Sequence, residues 1–267
     1  MNRMEKALSG LGEMDALAEG NSPVHRRNAA AKLLSTLAYI MVVLSFHKYD
    51  LSGLIPMVLW PVFLFQLSGI PMRVCFYRLR FVLPLVLAVG IFNPLFDRRI
   101  LVQLGSISVS GGVISMCTLM LKGVFSLMAS FLLVAATPFD SLCAALRKLH
   151  VPKELVTLLL LTYRYVGVMT EELSVMTEAY ELRAPGQKGI HVSAWGSFLG
   201  QLLLRTMDRA QELYASMLLR GYHHHFHYAP EQPFRISDAL WLCISVLFFL
   251  ILRFVPAARL LGNLLVR

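Results

Sequence analysis

Charge is what this 267-residue sequence has least of: 15% of its residues are Asp, Glu, Lys or Arg, against 57% hydrophobic. Soluble domains carry about 25% charged and about 45–50% apolar residues. The apolar excess has to be buried somewhere other than a water-facing core, which makes membrane the default solvent. Cysteine is scarce as well. Cys75, Cys117, Cys143 and Cys243 stand apart in apolar surroundings with no C-x-x-C spacing, so they form no disulfide framework and read as small hydrophobes. The first thirty residues hold Glu5, Glu13, Asp15 and Glu19 and no apolar h-region. No cleavable signal is therefore expected, and the first internal span must direct insertion. H-E-x-x-H, G-x-S-x-G and Walker motifs are missing too. Gly186-Gln187-Lys188-Gly189 lacks the Lys-[Ser/Thr] ending of a phosphate loop. ATP hydrolysis within this chain is not expected.

What is present is long apolar runs, at 31–46, 51–70, 81–96, 113–136 and 239–255. Pro56 and Pro61 in the second and Pro84 and Pro94 in the third predict kinked spans. The net charge of +9 is spread beside these runs and forms no basic domain, which marks it as topogenic and excludes nucleic acid as the partner. His25-Arg26-Arg27 with Lys32 places the amino terminus in the cytoplasm, and Arg73, Arg78 and Arg80 fit the same side. Residues 101–110 alternate apolar and small polar side chains, a strand or interfacial pattern. Lys122 lies within the fourth run, and an ionisable residue at that depth is a functional candidate; a snorkelling or interior-facing lysine explains it equally well.

Thr137-Pro138-Phe139-Asp140 starts a short amphipathic helix that ends at His150-Val151-Pro152. Between residues 137 and 235 there are ten Lys and Arg and nine Asp and Glu, too many for simple spans. Two helical seams run through this segment. Leu155, Leu159, Thr162, Val166, Met169, Leu173, Met176 and Tyr180 form one; Leu199, Leu203, Thr206, Ala210, Leu213 and Met217 form the other. The acidic and basic residues between them are expected on a solvated or ion-paired face. Each seam stops at an arginine triplet, Leu182-Arg183-Ala184 before Pro185 and Leu219-Arg220-Gly221. A cation in a last turn complements the helix dipole, worth about 0.3–1 kcal/mol. A sharper use is to present two guanidinium forks to acidic sites on another protein. Directly afterwards come His223, His224, His225 and His227, which can bind a transition metal weakly; no second cluster completes a site. A polar linker accounts for them more simply. The chain thus divides into a cytoplasmic segment 1–30, a membrane domain 31–136 with about four spans, a charged helical segment 137–235, and a last span and tail 236–267.

The ordered set of motifs carries a family likeness. It comprises Asn21-Ser22-Pro23-Val24-His25, Phe92-Asn93-Pro94-Leu95-Phe96-Asp97 and Ala145-Leu146-Arg147-Lys148-Leu149-His150-Val151-Pro152. Leu161-Thr162-Tyr163-Arg164-Tyr165, Leu203-Leu204-Arg205-Thr206-Met207-Asp208-Arg209-Ala210, Leu182 to Gly189 and Leu219 to Tyr222 complete it. Over nearly its whole length the chain resembles the transmembrane, or T, component of energy-coupling factor transporters, and more narrowly the cobalt branch called CbiQ. Relatives often have alanine before these arginines, whereas this chain has leucine before both.

The resemblance implies an all-α, polytopic membrane helix bundle in the prokaryotic cell membrane, with long amphipathic cytoplasmic coupling helices. It implies a non-catalytic subunit of a cobalt importer, with Arg183 and Arg220 each entering a groove on one of two CbiO-like ATP-binding cassette subunits. Leu182, Ala184, Leu219 and Gly221 would flank those contacts. ATP and Mg would sit on the ATPases, this chain holding no cofactor, and metal selectivity on a CbiM-like membrane subunit with a small CbiN-like one. Nickel or a vitamin is the alternative cargo. A membrane oxidoreductase using the histidine run, and a scaffold with no transport role, are readings of other classes.

Overall fold

The computed structural model describes residues 12–96, 100–104, 107–187, 189–222 and 234–254. Helix α1 covers residues 12–18. The rest of the described chain falls into two units: one holds the described parts of 14–145 and 232–267, the other those of 1–13 and 146–231.

The first unit contains all five apolar runs, and each has become helix. α2 (Ala29–Ser45) starts at Asn28, whose Oδ1 accepts from the Ala30 N–H at 3.0 Å, one of the four donors a helix start leaves orphaned. The second run is broken as its prolines require. α3 (Leu51–Leu54) passes into a 3-10 turn, Ile55–Val58, carrying Pro56, and then into α4 (Leu59–Ser68). Pro61 sits in the first turn of α4, where a missing N–H costs nothing. α5 (Met72–Phe96) bends by 55° between Met72–Arg80 and Val82–Asn93. Pro84 explains the bend: it has no N–H for the Arg80 carbonyl, and its ring crowds that carbonyl. α6 (Gly111–Ala135) packs along α5. Their approach is close enough that a Cβ on Gly90 would stand 3.1 Å from Met116 Cγ, the kind of backbone contact that small residues permit between membrane helices.

Between α5 and α6, β1 (Ile100–Leu104) and β2 (Ile107–Ser110) pair antiparallel, with Val102 opposite Val109 and Leu104 opposite Ile107. This is the strand anticipated from the alternation at 101–110, a small hairpin attached to an otherwise all-α bundle. α10 (Ile236–Phe254) packs against α2. Fully buried Phe249 joins them, its ring edge-on to Tyr39 at 5.3 Å and to Trp60 at 4.8 Å. The Tyr39 hydroxyl donates to the Met57 carbonyl at 2.9 Å, so its polar tip is not stranded in the apolar core.

Leu51–Ser68, Gly111–Ala135 and Ile236–Phe254 are long and apolar enough to cross a membrane, and the bent α5 makes a fourth crossing if it counts as one span. α2, at 17 residues, is a shorter apolar helix at the lower limit of the roughly 17–25 residues a span requires. Exposed apolar side chains such as Met41, Phe63, Leu85 and Leu247 are what lipid contact demands.

In the second unit, α7 (Phe139–Lys148), which begins in the first, ends where His150 takes a left-handed φ of 64°. Val151 N–H then bonds the Leu146 carbonyl at 3.2 Å and His150 N–H that of Arg147 at 3.1 Å, a Schellman closure. α8 (Lys153–Arg183) follows directly; its 31 residues reach about 46 Å. After a 3-10 turn, Val192–Ala194, α9 (Trp195–Leu219) runs for 25 residues, about 37 Å.

Both anticipated seams need correction. On α9, Leu199, Leu203 and Ala210 are exposed, while the half-buried positions are Phe198, Leu202, Thr206, Leu213, Ser216 and Met217. The start of the seam is therefore one residue earlier. Positions 198, 199, 202 and 203 are all apolar, so periodicity could not choose between adjacent faces. On α8 the later seam residues Met169, Leu173, Met176 and Tyr180 are half-buried, but Leu155, Leu159, Thr162 and Val166 are exposed, and Val156 and Leu160 are buried instead.

Candidate functional site

The two arginine triplets end up as two exposed helix tips, stopped by different devices. At the end of α9, Arg220 is the C-cap and Gly221 takes a φ of 79°. Gly221 N–H bonds the Leu218 carbonyl and Tyr222 N–H that of Met217, both at 3.0 Å. This is a Schellman motif, and its left-handed position favours glycine because a Cβ there crowds the following carbonyl. Leu219 beside it is 90% exposed.

At the end of α8, Ala184 N–H bonds the Tyr180 carbonyl at 3.0 Å and Pro185 prevents continuation. Tyr180 also organises the turn that follows. Its hydroxyl donates to Gln187 Oε1 at 3.1 Å and accepts from the His191 N–H at 3.3 Å. Leu182 is 84% exposed and Arg183 is exposed. An apolar leucine in water beside an exposed guanidinium, at both tips, combines a hydrophobic anchor with a bidentate donor.

Arg183 also borders a cavity of about 340 Å³ between the later half of α8 and the first half of α9, lined by Met176, Ala179, Tyr180, Phe198 and Gln201 among others. Arg205 of α9 lines the same cavity and pairs with Glu172 of α8. Arg209 and Glu212 pair along α9 at 3.5 Å. These are the ion pairs expected of the charged face, and the first of them ties the two long helices together.

Lys122 finds a structural use. Its Nζ donates to the carbonyls of Leu44 and Phe46, and Arg253 from the last turn of α10 donates to that of Ser45 at 3.1 Å. The last carbonyls of α2 have no partners within their own helix; two cations from neighbouring helices satisfy them. Arg253 also lies over the Phe46 ring at 4.3 Å.

A matching polar cluster at the other end of α2 was not anticipated. Buried Lys32 donates to the Ala136 carbonyl at 2.6 Å, closing the end of α6, while buried Asp238 accepts from the N–H groups of Arg235 and Asn28. Arg27 lies 3.7 Å from Asp238 and donates to the Ser237 carbonyl. His25 bridges Ser22 and the Leu17 carbonyl, which gives the Asn-Ser-Pro-Val-His motif a role in fastening the start of α2. The available signal was the lone acidic residue at the head of the last apolar run.

The cysteines are free, Cys75 and Cys143 buried. Burial, with Asp140 close by, pushes the Cys143 thiol up to about 11, so it stays protonated and unreactive at neutral pH. Among the described residues no three His, Cys, Asp or Glu side chains gather into a metal site. The run His223, His224, His225 and His227 lies outside the described residues.

Comparison with known proteins places the chain in a family. Residues 20–228 match the family model CbiQ, described as cobalt transport protein. The nickel permease LarQ of Lactiplantibacillus plantarum is 34% identical over 90 residues, 34% of this chain and 33% of that protein. The cobalt transport protein CbiQ of Rhodobacter capsulatus is 34% identical over 93 residues, 34% of this chain and 37% of that protein. These two matches span only about a third of either relative. The energy-coupling factor transporter transmembrane protein EcfT of Limosilactobacillus fermentum is 23% identical over 259 residues, 86% of this chain and 93% of that protein. With both arginine tips inside the stretch that the family model matches, the chain belongs to the CbiQ family of cobalt transport proteins.

Proposed function

We propose that this chain is the transmembrane coupling subunit of an ATP-driven, ECF-type cobalt importer in the cell membrane, with its amino terminus in the cytoplasm. The observation that carries the reading is the pair of exposed Leu-Arg tips at the ends of two long helices, inside the region shared with the family. Arg183 and Arg220 each enter a groove on one of two CbiO-like ATP-binding cassette subunits, where a guanidinium fork meets carboxylate or backbone acceptors. Leu182 and Leu219 bury their side chains beside them, and Ala184 and Gly221 let the chain turn away.

The ATPases hold ATP and Mg. When they close, the two docked tips move relative to each other, and α8 and α9 act as levers toward the membrane segments. A CbiM-like subunit binds the metal, with a small CbiN-like subunit beside it. Membership of this family makes the chain a transport component and not a catalyst, which leaves the oxidoreductase reading without support. Nickel is the second cargo: the nickel permease and the cobalt transport protein are equally similar to this chain. Selectivity then rests with the metal-binding partner.

The test is co-purification from detergent-solubilised membranes. Native chain should capture ATP-binding subunits, and Arg183→Glu/Arg220→Glu should lose them while still inserting into the membrane. Either single reversal should weaken capture less than additively, since the second contact is intramolecular once the first has formed. Undiminished capture by the double variant would reduce both arginines to ordinary helix ends.

A further inference from the structure

A cavity of about 800 Å³ opens beside the first turns of α2 and α10, within the membrane unit. Its wall includes Asn21, Arg26, Arg27, Arg235, Ser237 and Asp238, three guanidiniums against one carboxylate. The carboxylate is already engaged: Asp238, 4% exposed, accepts from the Arg235 N–H at 3.1 Å and faces Arg27. Arg27 is engaged in turn, by Asp238 and the Ser237 carbonyl. That leaves Arg26 and Arg235, both exposed. Arg26 spends one donor on Asn21 Oδ1 at 3.0 Å, and the Arg235 guanidinium makes no hydrogen bond or ion pair among the described residues. The positive ends of two helices of 17 and 19 residues add to the same field. The lining therefore carries excess positive charge and spare donors in a space too large for a single ion.

We propose that this cavity binds the phosphate headgroup of an anionic membrane phospholipid. The cavity supplies the headgroup site, and α10 supplies the place for acyl chains. Ile236, 89% exposed and adjacent to Ser237 in the cavity wall, begins a ridge continued by Leu240, Ile244, Leu247 and Ile251. Steps of four and three keep them along one side of the helix. A phosphate site continuous with an exposed apolar ridge fits an amphiphile better than a free anion. Basic pockets at the ends of membrane helices are where acidic headgroups gain most from nearby arginines.

The test uses the full chain purified in mild detergent and supplied with phosphatidylglycerol or phosphatidylcholine, with retained lipid read by native mass spectrometry. Native chain should retain phosphatidylglycerol preferentially. Arg26→Gln/Arg235→Gln should weaken that retention about thirtyfold, about fivefold per arginine, whereas Arg73→Gln/Arg78→Gln, outside the cavity, should leave it unchanged. Millimolar inorganic phosphate should not displace the lipid. Equal retention of the two lipids by the native chain overturns the assignment whether or not the variants fold. Displacement by inorganic phosphate also overturns it, pointing to a free-anion site, as does undiminished retention by Arg26→Gln/Arg235→Gln.

Discussion

Phe249 and Leu219 are both large apolar side chains near the end of a long helix, yet the first is fully buried and the second is 90% exposed. The contrast extends to the units they belong to. In the membrane unit, α2, α4 and α10 meet through interlocked aromatic rings, and the helix ends of α2 and α6 are closed by Lys122, Arg253 and Lys32. In the helix-pair unit, α9 has no buried residue at all, and α8 and α9 line a common cavity and share the Arg205–Glu172 ion pair. A span must satisfy every polar group internally, because hydrocarbon offers no alternative partner. On the proposed function, the helix pair keeps apolar and cationic side chains in reserve for a partner. The exposed Leu182 and Leu219 are the side chains that the proposed docking would bury.

That contrast can be broken or sharpened by substitution. Phe249→Ala removes the ring that joins Tyr39 and Trp60 and should cost about 3–5 kcal/mol, read as a large drop in thermal stability in detergent. Gly221→Val forces a β-branched residue into a left-handed position with φ 79°, which should cost about 1–2 kcal/mol. Its signature should be fraying of the last turn of α9 in hydrogen exchange and weakened ATPase capture, with the membrane unit unchanged. Arg205→Ala breaks the half-exposed pair with Glu172 and should cost only about 0.2–1 kcal/mol; Glu172→Ala in the same background should add almost nothing. An Arg205→Ala effect as large as that of Phe249→Ala would mean that the helix pair is held together as firmly as the membrane bundle.

Much of the architecture is legible from residue order. Unbroken apolar stretches announce helices because lipid tolerates little else, and Pro56 and Pro84 mark their own breaks through a missing donor. The alternation at 101–110 pointed to a strand or an interfacial segment, and the structure makes it a strand pair. The arginine tips were equally plain, since Pro185 and Gly221 are local stop signals. Where neighbouring positions are all apolar, as in Phe198-Leu199 and Leu202-Leu203, the pattern is degenerate, and the half-buried face at the start of α9 lies one residue earlier than anticipated. The partners of Lys122 were invisible for a different reason. They are backbone carbonyls of residues 44 and 46, and a carbonyl has no residue type by which a sequence could reveal it.

By itself the sequence determined the solvent, the positions of the apolar runs and the places where the long helices stop, because hydropathy, proline and glycine act within a few residues of where they stand. Only the tertiary structure decided which cations close which helix ends, which face of α9 turns inward, and that Arg26 and Arg235, 209 positions apart, share one cavity wall. Those outcomes depend on what lies across a gap in space, and chain order carries no record of it.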